Sequence, residues 1–334
     1  MKLFRLAVLL VAFTAPACLW KSSPHRLPLP TGVRVHVVEA GDPKGEAVVF
    51  LHGLTDTSRS FAPVIEKLAT LRPDLRLIAV DQRGHGASSM PQDRACKAAP
   101  ERCFAVEDFA RDVIATLDAL QVDRAHLVGH SMGGAVAQET ALSRPDRVAS
   151  VTLVATSADM RENPVVRDYL LAERIEGSWK RGLESKGLRF PDDAWELVAT
   201  DADPRASEWM ATEWVTEANA DAAFVQSVLP ETLAIRLGTW IGATRGLRAF
   251  DVRSRLSDLK VPALVISGKD DPVFPQVPDQ ADLRSALEEA HRENGVPVRF
   301  RVLDAPGLGH NLPWGAPEPI ADELSRFLGR PAEG

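Results

Sequence analysis

The most informative run in the chain is Ala125-His126-Leu127-Val128-Gly129-His130-Ser131-Met132-Gly133-Gly134-Ala135-Val136. An apolar segment, Ala125 to Val128, leads into Gly129-His130-Ser131-Met132-Gly133, and a helix-forming segment over Met132–Ser143 follows. A G-x-S-x-G pattern occurs often by chance; one held between a strand and a helix is specific. The chain has to turn from strand to helix within a residue or two. Ser131 is therefore expected to adopt a strained backbone conformation, with Gly129 and Gly133 admitting close backbone approach on either side. Its Oγ would stand at the edge of a sheet, beside a helix N-terminus whose free N–H groups face developing negative charge.

Outward from this turn, strand-like and helix-like segments alternate. Val33–Val38, Ala47–Leu51, Leu75–Val80, Val151–Val154, Ala263–Ile266 and Val298–Val302 read as strands, and Val106–Leu120 as an amphipathic helix. Such alternation predicts an α/β fold, a mostly parallel sheet covered by helices on both faces. The rhythm breaks between Ser157 and Thr244, which holds five of the seven tryptophans: Trp179, Trp195, Trp209, Trp214 and Trp240. This stretch predicts a helical cap over the strand C-termini, where open α/β sheets place ligands. Most of the tryptophans would form the cap's own core, and two or three would face an apolar pocket. The expected organisation is a signal segment (1–17), a Pro-rich tether (18–30), a core (31–157 and 245–330) and the cap insertion (158–244). Arg245, Arg248, Arg253 and Arg255 at the cap's exit alternate with Asp251 and Asp258, which reads as a solvated linker.

Charge narrows the partners. The 334 residues carry 39 Lys+Arg against 46 Asp+Glu, a net charge of −7, so the basic field needed to displace phosphate counterions is absent and nucleic acid is excluded as the main partner. At the N-terminus, Lys2 and Arg5 precede the apolar run Leu6–Phe13 and then Thr14-Ala15-Pro16-Ala17-Cys18. This is the layout of an export signal, and the run is too short to span a bilayer. Cys18 would become the first mature residue and a possible lipid-anchor point, although Ala15 stands where a lipobox carries leucine; cleavage without lipidation is the alternative. The expected location is the periplasm, the envelope or the medium, where Cys96 and Cys103 could staple their loop. No metal-ligand spacing, P-loop or dinucleotide fingerprint occurs, so no cofactor is expected.

The chain resembles the α/β-hydrolase fold family, as a capped serine esterase-like member, from about Val33 to Leu328. Beside the Ser131 motif, Phe50-Leu51-His52-Gly53-Leu54 resembles the family's His-Gly oxyanion loop. Asp81-Gln82-Arg83-Gly84-His85-Gly86-Ala87-Ser88 is similar to its D-x-R-G-x-G-x-S turn, read as structural. The resemblance implies a triad in the chain order Ser, Asp or Glu, His. His310, in Pro306-Gly307-Leu308-Gly309-His310-Asn311-Leu312-Pro313-Trp314, matches the histidine loop, and Asp271 matches the acid in Gly268-Lys269-Asp270-Asp271. Asp270 reads as a turn residue, and Asp159 is the alternative acid. Backbone N–H groups of Leu54 and Met132 would hold an oxyanion, with His52, Gly53, Gly129 and Gly133 in support.

The activity implied is hydrolysis of a small-molecule carboxylic ester bearing an apolar group, through an acyl-enzyme. Alternatives on the same residues are carbon–carbon bond hydrolysis, a cofactor-free peroxidase-like reaction and acyl transfer. A non-catalytic binding protein with this fold is the alternative from another class. Relatives that open epoxides or remove halides place a carboxylate at the nucleophile position, and Ser131 argues against both.

Overall fold

The computed structural model describes residues 25–329; the expected signal segment and Cys18 lie outside them. Eight strands form one sheet: β1 (His25–Pro28), β2 (Arg34–Gly41), β3 (Glu46–Leu51), β4 (Leu75–Asp81), β5 (Ala125–His130), β6 (Val148–Val154), β7 (Ala263–Gly268) and β8 (Val298–Leu303). Their order is β1-β2-β4-β3-β5-β6-β7-β8. β4, β3, β5, β6, β7 and β8 run parallel, and β2 pairs antiparallel to both β1 and β4. Every residue of β5 and β7 is buried, as expected for strands with both faces covered.

Alternate residues feed two cores. Val49, Leu51 and Leu127 pack on one face with Phe109 and Val113, Ala135 and Val136, and Leu283 and Leu287. These come from helices Val106–Ala119, Met132–Ser143 and Ala281–Asn294. Val48, Phe50 and Val128 point to the other face, against Val64, Ile65 and Leu68 of helix Ala62–Leu71 and Ile320 and Leu324 of helix Pro317–Phe327. The period-2 alternation thus sorts side chains between faces. Each fully buried Val, Leu or Phe adds roughly 1.5–3 kcal/mol.

Within the stretch expected as a tether (18–30), the described residues His25–Pro28 form strand β1. His25–Pro28 pairs antiparallel with β2, and Leu27 opposite Val35 packs against the core. A four-residue edge strand ending in proline lacks the alternation that marks longer strands, and Pro is tolerated there because an edge residue has no obligatory N–H partner. At the opposite edge, β8 exposes Arg299 and Arg301.

Between β6 and β7 the chain is helical, chiefly Val165–Trp179, Ala222–Leu233 and Leu237–Leu247. These build a third core around Leu170, Ile175, Trp179, Trp209 and Trp240. Trp179 meets Trp209 and Trp240 edge-on, with centroids 5.8 and 5.2 Å apart. Trp195 instead packs on Phe104 of the sheet domain, at 6.0 Å. Of the tryptophans in this stretch, Trp214 alone lines the large cavity described below, fewer than the two or three expected. Trp179, Trp209 and Trp240 instead cover one another. Helix Leu237–Leu247 runs unbroken past position 244. Arg245 bridges to Glu101 and Glu176, and Arg255 to Glu139, so these arginines are tied to neighbouring elements rather than simply solvated.

Candidate active site

Ser131 sits at φ 53° and ψ −117°, immediately before helix Met132–Ser143. Few non-glycine residues occupy positive φ, and the strain is held by the surrounding packing. The flanking glycines are required sterically. A Cβ at Gly129 would lie 2.2 Å from the Gly133 carbonyl oxygen, and one at Gly133 would lie 2.0 Å from that of Leu51. The Ser131 N–H donates to the Val154 carbonyl at 3.0 Å, pinning the turn to the end of β6.

His310 follows β8 and reaches across the strand ends. Its Nε2 is 2.9 Å from Ser131 Oγ, and its Nδ1 is 3.2 and 3.1 Å from the two carboxylate oxygens of Asp271. Asp271 follows β7, and its Oδ1 accepts the N–H groups of Val273 at 2.8 Å and Phe274 at 3.2 Å. Burial pushes the Asp271 carboxyl up, but the His310 imidazole and the two amides outweigh it and hold the group below its ordinary range. A hydroxyl, an imidazole and an ionised carboxylate thus form one line, in which the carboxylate orients the ring and the ring faces the hydroxyl.

Asp159, the alternative acid, is elsewhere. It pairs with Arg161 and Arg253 in a surface ion cluster that also holds Asp251.

The His-Gly loop after β3 forms the opposite wall. His52 is buried and neutral: its Nε2 accepts the Gln82 N–H at 3.0 Å, so its Nδ1 carries the proton donated to the Gly53 carbonyl at 2.7 Å. Burial lowers its pKa further. It is a strut between two loops. Gly53 and Leu54 line the cavity above Ser131. Met132 opens its helix, where the first N–H groups lack intrahelical acceptors. Thr55, at φ 63°, donates from Oγ1 to the Leu54 carbonyl at 2.6 Å and accepts from Trp214 Nε1 at 2.9 Å. The D-x-R-G-x-G-x-S turn contributes no residue to the lining of the cavity at Ser131. Asp81 accepts the amides of Ser58 and Ala87, and Arg83 makes a buried bidentate pair with Asp112 at 2.7 and 2.8 Å.

Three residues without a role in the sequence reading stand at this site. His130, buried beside His310 with ring centroids 5.0 Å apart, has Nε2 3.0 Å from the His310 carbonyl and donates to it. Burial lowers its pKa to about 3, so it stays neutral. Glu217, from the cap, accepts the N–H groups of Gly309 and Asn311. Asp56, its side chain 11% exposed, lies 3.9 Å from His130 Nδ1. Burial raises Asp56 to about 7, against the opposing effects of the Ser60 hydroxyl and the His310 ring. Only His130 had a visible signal, as the residue before the motif serine; the other two have meaning only through distant neighbours.

Asp56 yields a stability prediction. A carboxyl whose folded pKa exceeds its unfolded value stabilises the fold fully below the unfolded value, near pH 4, and that contribution is lost as pH rises through about 7. Asp56→Asn, which cannot ionise, should therefore be more stable than wild type by up to about 4 kcal/mol at about pH 8, with little gain at about pH 4. Thermal melts of both proteins at the two pH values check this; an equal offset at both values would contradict it.

The cavity has a volume of about 610 Å³ and is walled by Ser131, His310 and Leu54 below and by Tyr169, Leu170 and Trp214 of the cap above. Among its lining residues are three carboxylates, Asp56, Glu213 and Glu217, and no lysine or arginine. No group of three or more His, Cys, Asp or Glu side chains among the described residues is arranged to hold a metal ion.

Comparison with known proteins agrees with this architecture. The chain is 33% identical over 242 residues to a protein of Variovorax paradoxus named as a carbamate hydrolase, covering 72% of this chain and 80% of that one. It is 38% identical over 323 residues to a protein of Caballeronia sordidicola named as an epoxide hydrolase, covering 89% of this chain and 91% of the relative. A solved structure described as an aryl esterase from Burkholderia cenocepacia shares the fold, with a TM-score of 0.65 at 20% identity over 92% of this chain and 98% of that one. The sequence pattern of the alpha/beta hydrolase fold matches residues 46–297. Sheet order, the turn at Ser131 and this match together place the chain: it belongs to the alpha/beta hydrolase fold family.

Proposed function

We propose that this protein is an exported serine hydrolase that cleaves an uncharged carboxylic ester through an acyl-enzyme on Ser131. The observation that carries the reading is the single line from Ser131 Oγ through the His310 ring to Asp271, facing the cavity under the cap. His310 Nε2 takes the hydroxyl proton as Oγ attacks the ester carbonyl, then returns it to the departing alcohol. Water activated by the same nitrogen releases the acid and restores the hydroxyl. Backbone amides of Met132 and Leu54 hold the oxyanion, and such a donor is typically worth about 3–4 kcal/mol of barrier.

The acidic, arginine-free wall disfavours a substrate bearing a carboxylate, and the aromatic and aliphatic cap residues favour an apolar acyl or alcohol group. A carbamate, the substrate in the name of one relative, also accommodates attack at a carbonyl. The likeness to a protein named as an epoxide hydrolase supports a second reading. In its way stands the chemistry of the nucleophile: a serine that opened an epoxide would be left as an alkyl ether, with no carbonyl for water to attack.

Export rests on Lys2, Arg5 and the apolar run Leu6–Phe13, with Cys18 as the candidate lipid anchor. In an oxidising compartment Cys96 and Cys103, whose Cα atoms are 5.8 Å apart, are within bridging range and would form a disulfide.

The reading is tested by assaying p-nitrophenyl esters of graded acyl length, an aryl carbamate and an aryl epoxide, with intact mass measured after fluorophosphonate treatment. Turnover of neutral esters and a single adduct mapping to Ser131 are expected. Epoxide turnover with no ester hydrolysis and no adduct would overturn the proposal.

A further inference from the structure

We propose that Glu217 is a positioning residue that fastens the His310 loop to the cap, so that the place and charge of the catalytic base depend on the cap being seated. The inference rests on the reading of His310 as the base. Glu217 is buried, with 8% of its surface exposed, and no lysine or arginine among the described residues forms an ion pair with it. Its carboxylate is instead used on backbone amides: Gly309 N–H at 3.0 and 3.2 Å from the two oxygens, and Asn311 N–H at 3.1 Å. These are the residues immediately before and after His310. The same loop is held twice more, by Asn311 Nδ2 donating to the Thr216 carbonyl at 3.0 Å and Asn219 Nδ2 donating to the Pro306 carbonyl at 2.9 Å.

The loop's small residues fit this clamp. A Cβ on Gly309 would come within 3.0 Å of Glu217 Oε2, and one on Gly315 within 2.9 Å of Glu217 Cγ. Side chains at either position would push the carboxylate away. Three residues earlier, Trp214 of the same cap segment holds Thr55 in the oxyanion loop. One short piece of cap therefore grips both walls of the catalytic centre.

Two consequences follow for His310. Charge-assisted bonds to both flanking amides restrict the backbone that carries the ring, so that Nε2 stays within reach of Ser131 Oγ. The carboxylate also adds negative potential that favours the imidazolium formed during each proton transfer. The titratable groups facing His310 are Asp271 after β7, Asp56 after β3, His130 at the end of β5 and Glu217 from the cap. Burial raises the Glu217 carboxyl while the amides of Gly309, Asn219 and Asn311 and the His310 ring oppose the rise.

Glu217→Gln, Glu217→Asp and Glu217→Ala separate these effects. Gln keeps the shape but turns an NH₂ toward one amide and removes the charge. It is expected to lower kcat for a p-nitrophenyl ester by about tenfold with KM within about twofold. The acid limb of kcat/KM should move to lower pH by roughly half a unit, because the imidazolium loses a favourable neighbour. Asp keeps the charge and should leave the limb in place while restoring part of kcat. NMR titration of His310 measures the same displacement without substrate, so it reads the clamp even if ester hydrolysis is not the activity. Unchanged kcat and an unmoved His310 titration in Glu217→Gln would overturn the proposal. So would a kcat loss in Glu217→Gln and Glu217→Ala that merely follows a fall in melting temperature, with the His310 titration unmoved.

Discussion

Ser131→Ala is expected to lower kcat for ester hydrolysis by about a million-fold while leaving the fold intact. The size of the effect follows from the geometry. The Ser131 hydroxyl is the group 2.9 Å from His310 Nε2, and the turn at φ 53° aims it into the cavity. Alanine tolerates that backbone no worse than serine, so the elbow should survive and the variant should melt near wild type. What remains is catalysis by the oxyanion donors and by substrate binding, on the order of 10³-fold over water. Single-turnover assays at high enzyme concentration measure such a residue reliably. Activity within about tenfold of wild type would mean that another group performs the attack.

Asp271→Asn should cost about 10⁴-fold in kcat with little change in melting temperature. Asparagine can keep Oδ1 as acceptor for the amides of Val273 and Phe274, so the loop has its bonds. Its NH₂ would then face His310 Nδ1, making that nitrogen the acceptor and moving the ring proton to Nε2. A ring protonated at Nε2 donates to Ser131 and cannot take its proton. Kinetics on a neutral ester would show kcat collapsing while KM stays near wild type; a loss below about tenfold would remove Asp271 from the line. The same assay on Asp159→Asn should show no comparable loss, since Asp159 lies in the ion cluster with Arg161 and Arg253.

What could be read in advance was what repeats or punctuates. Strands β3 to β8 announce themselves by apolar runs bounded by turn residues, and the Ser131 elbow by glycines that steric limits impose. His310 and Asp271 stand out in sequence only through the resemblance, as a histidine loop and a G-x-x-D acid that each follow a strand in the chain order it implies. Strand β1 was hidden because four residues ending in Pro28 carry no period. The tryptophans were visible as a group, but whether one faces a neighbour or the cavity depends on packing that no local pattern encodes. Glu217 is the clearest case. It lies 92 positions before Gly309 in a non-periodic segment, and nothing near it in sequence indicates that it will cap amides across the cavity. Asp56 is similar, since its raised pKa comes from burial beside groups on other loops.

The two margins of the sheet carry a consequence for how copies of this chain meet. At one end β1 is four residues long and stops at Pro28; at the other β8 sets Arg299 and Arg301 outward. A short, proline-terminated ribbon offers few free donors, and long charged side chains along the other margin, Arg301 held 3.5 Å from Glu323, hinder the approach of a further strand. Zipping of neighbouring molecules into a continuous ribbon is thus disfavoured from both directions, which should keep concentrated stocks free of cross-β aggregates.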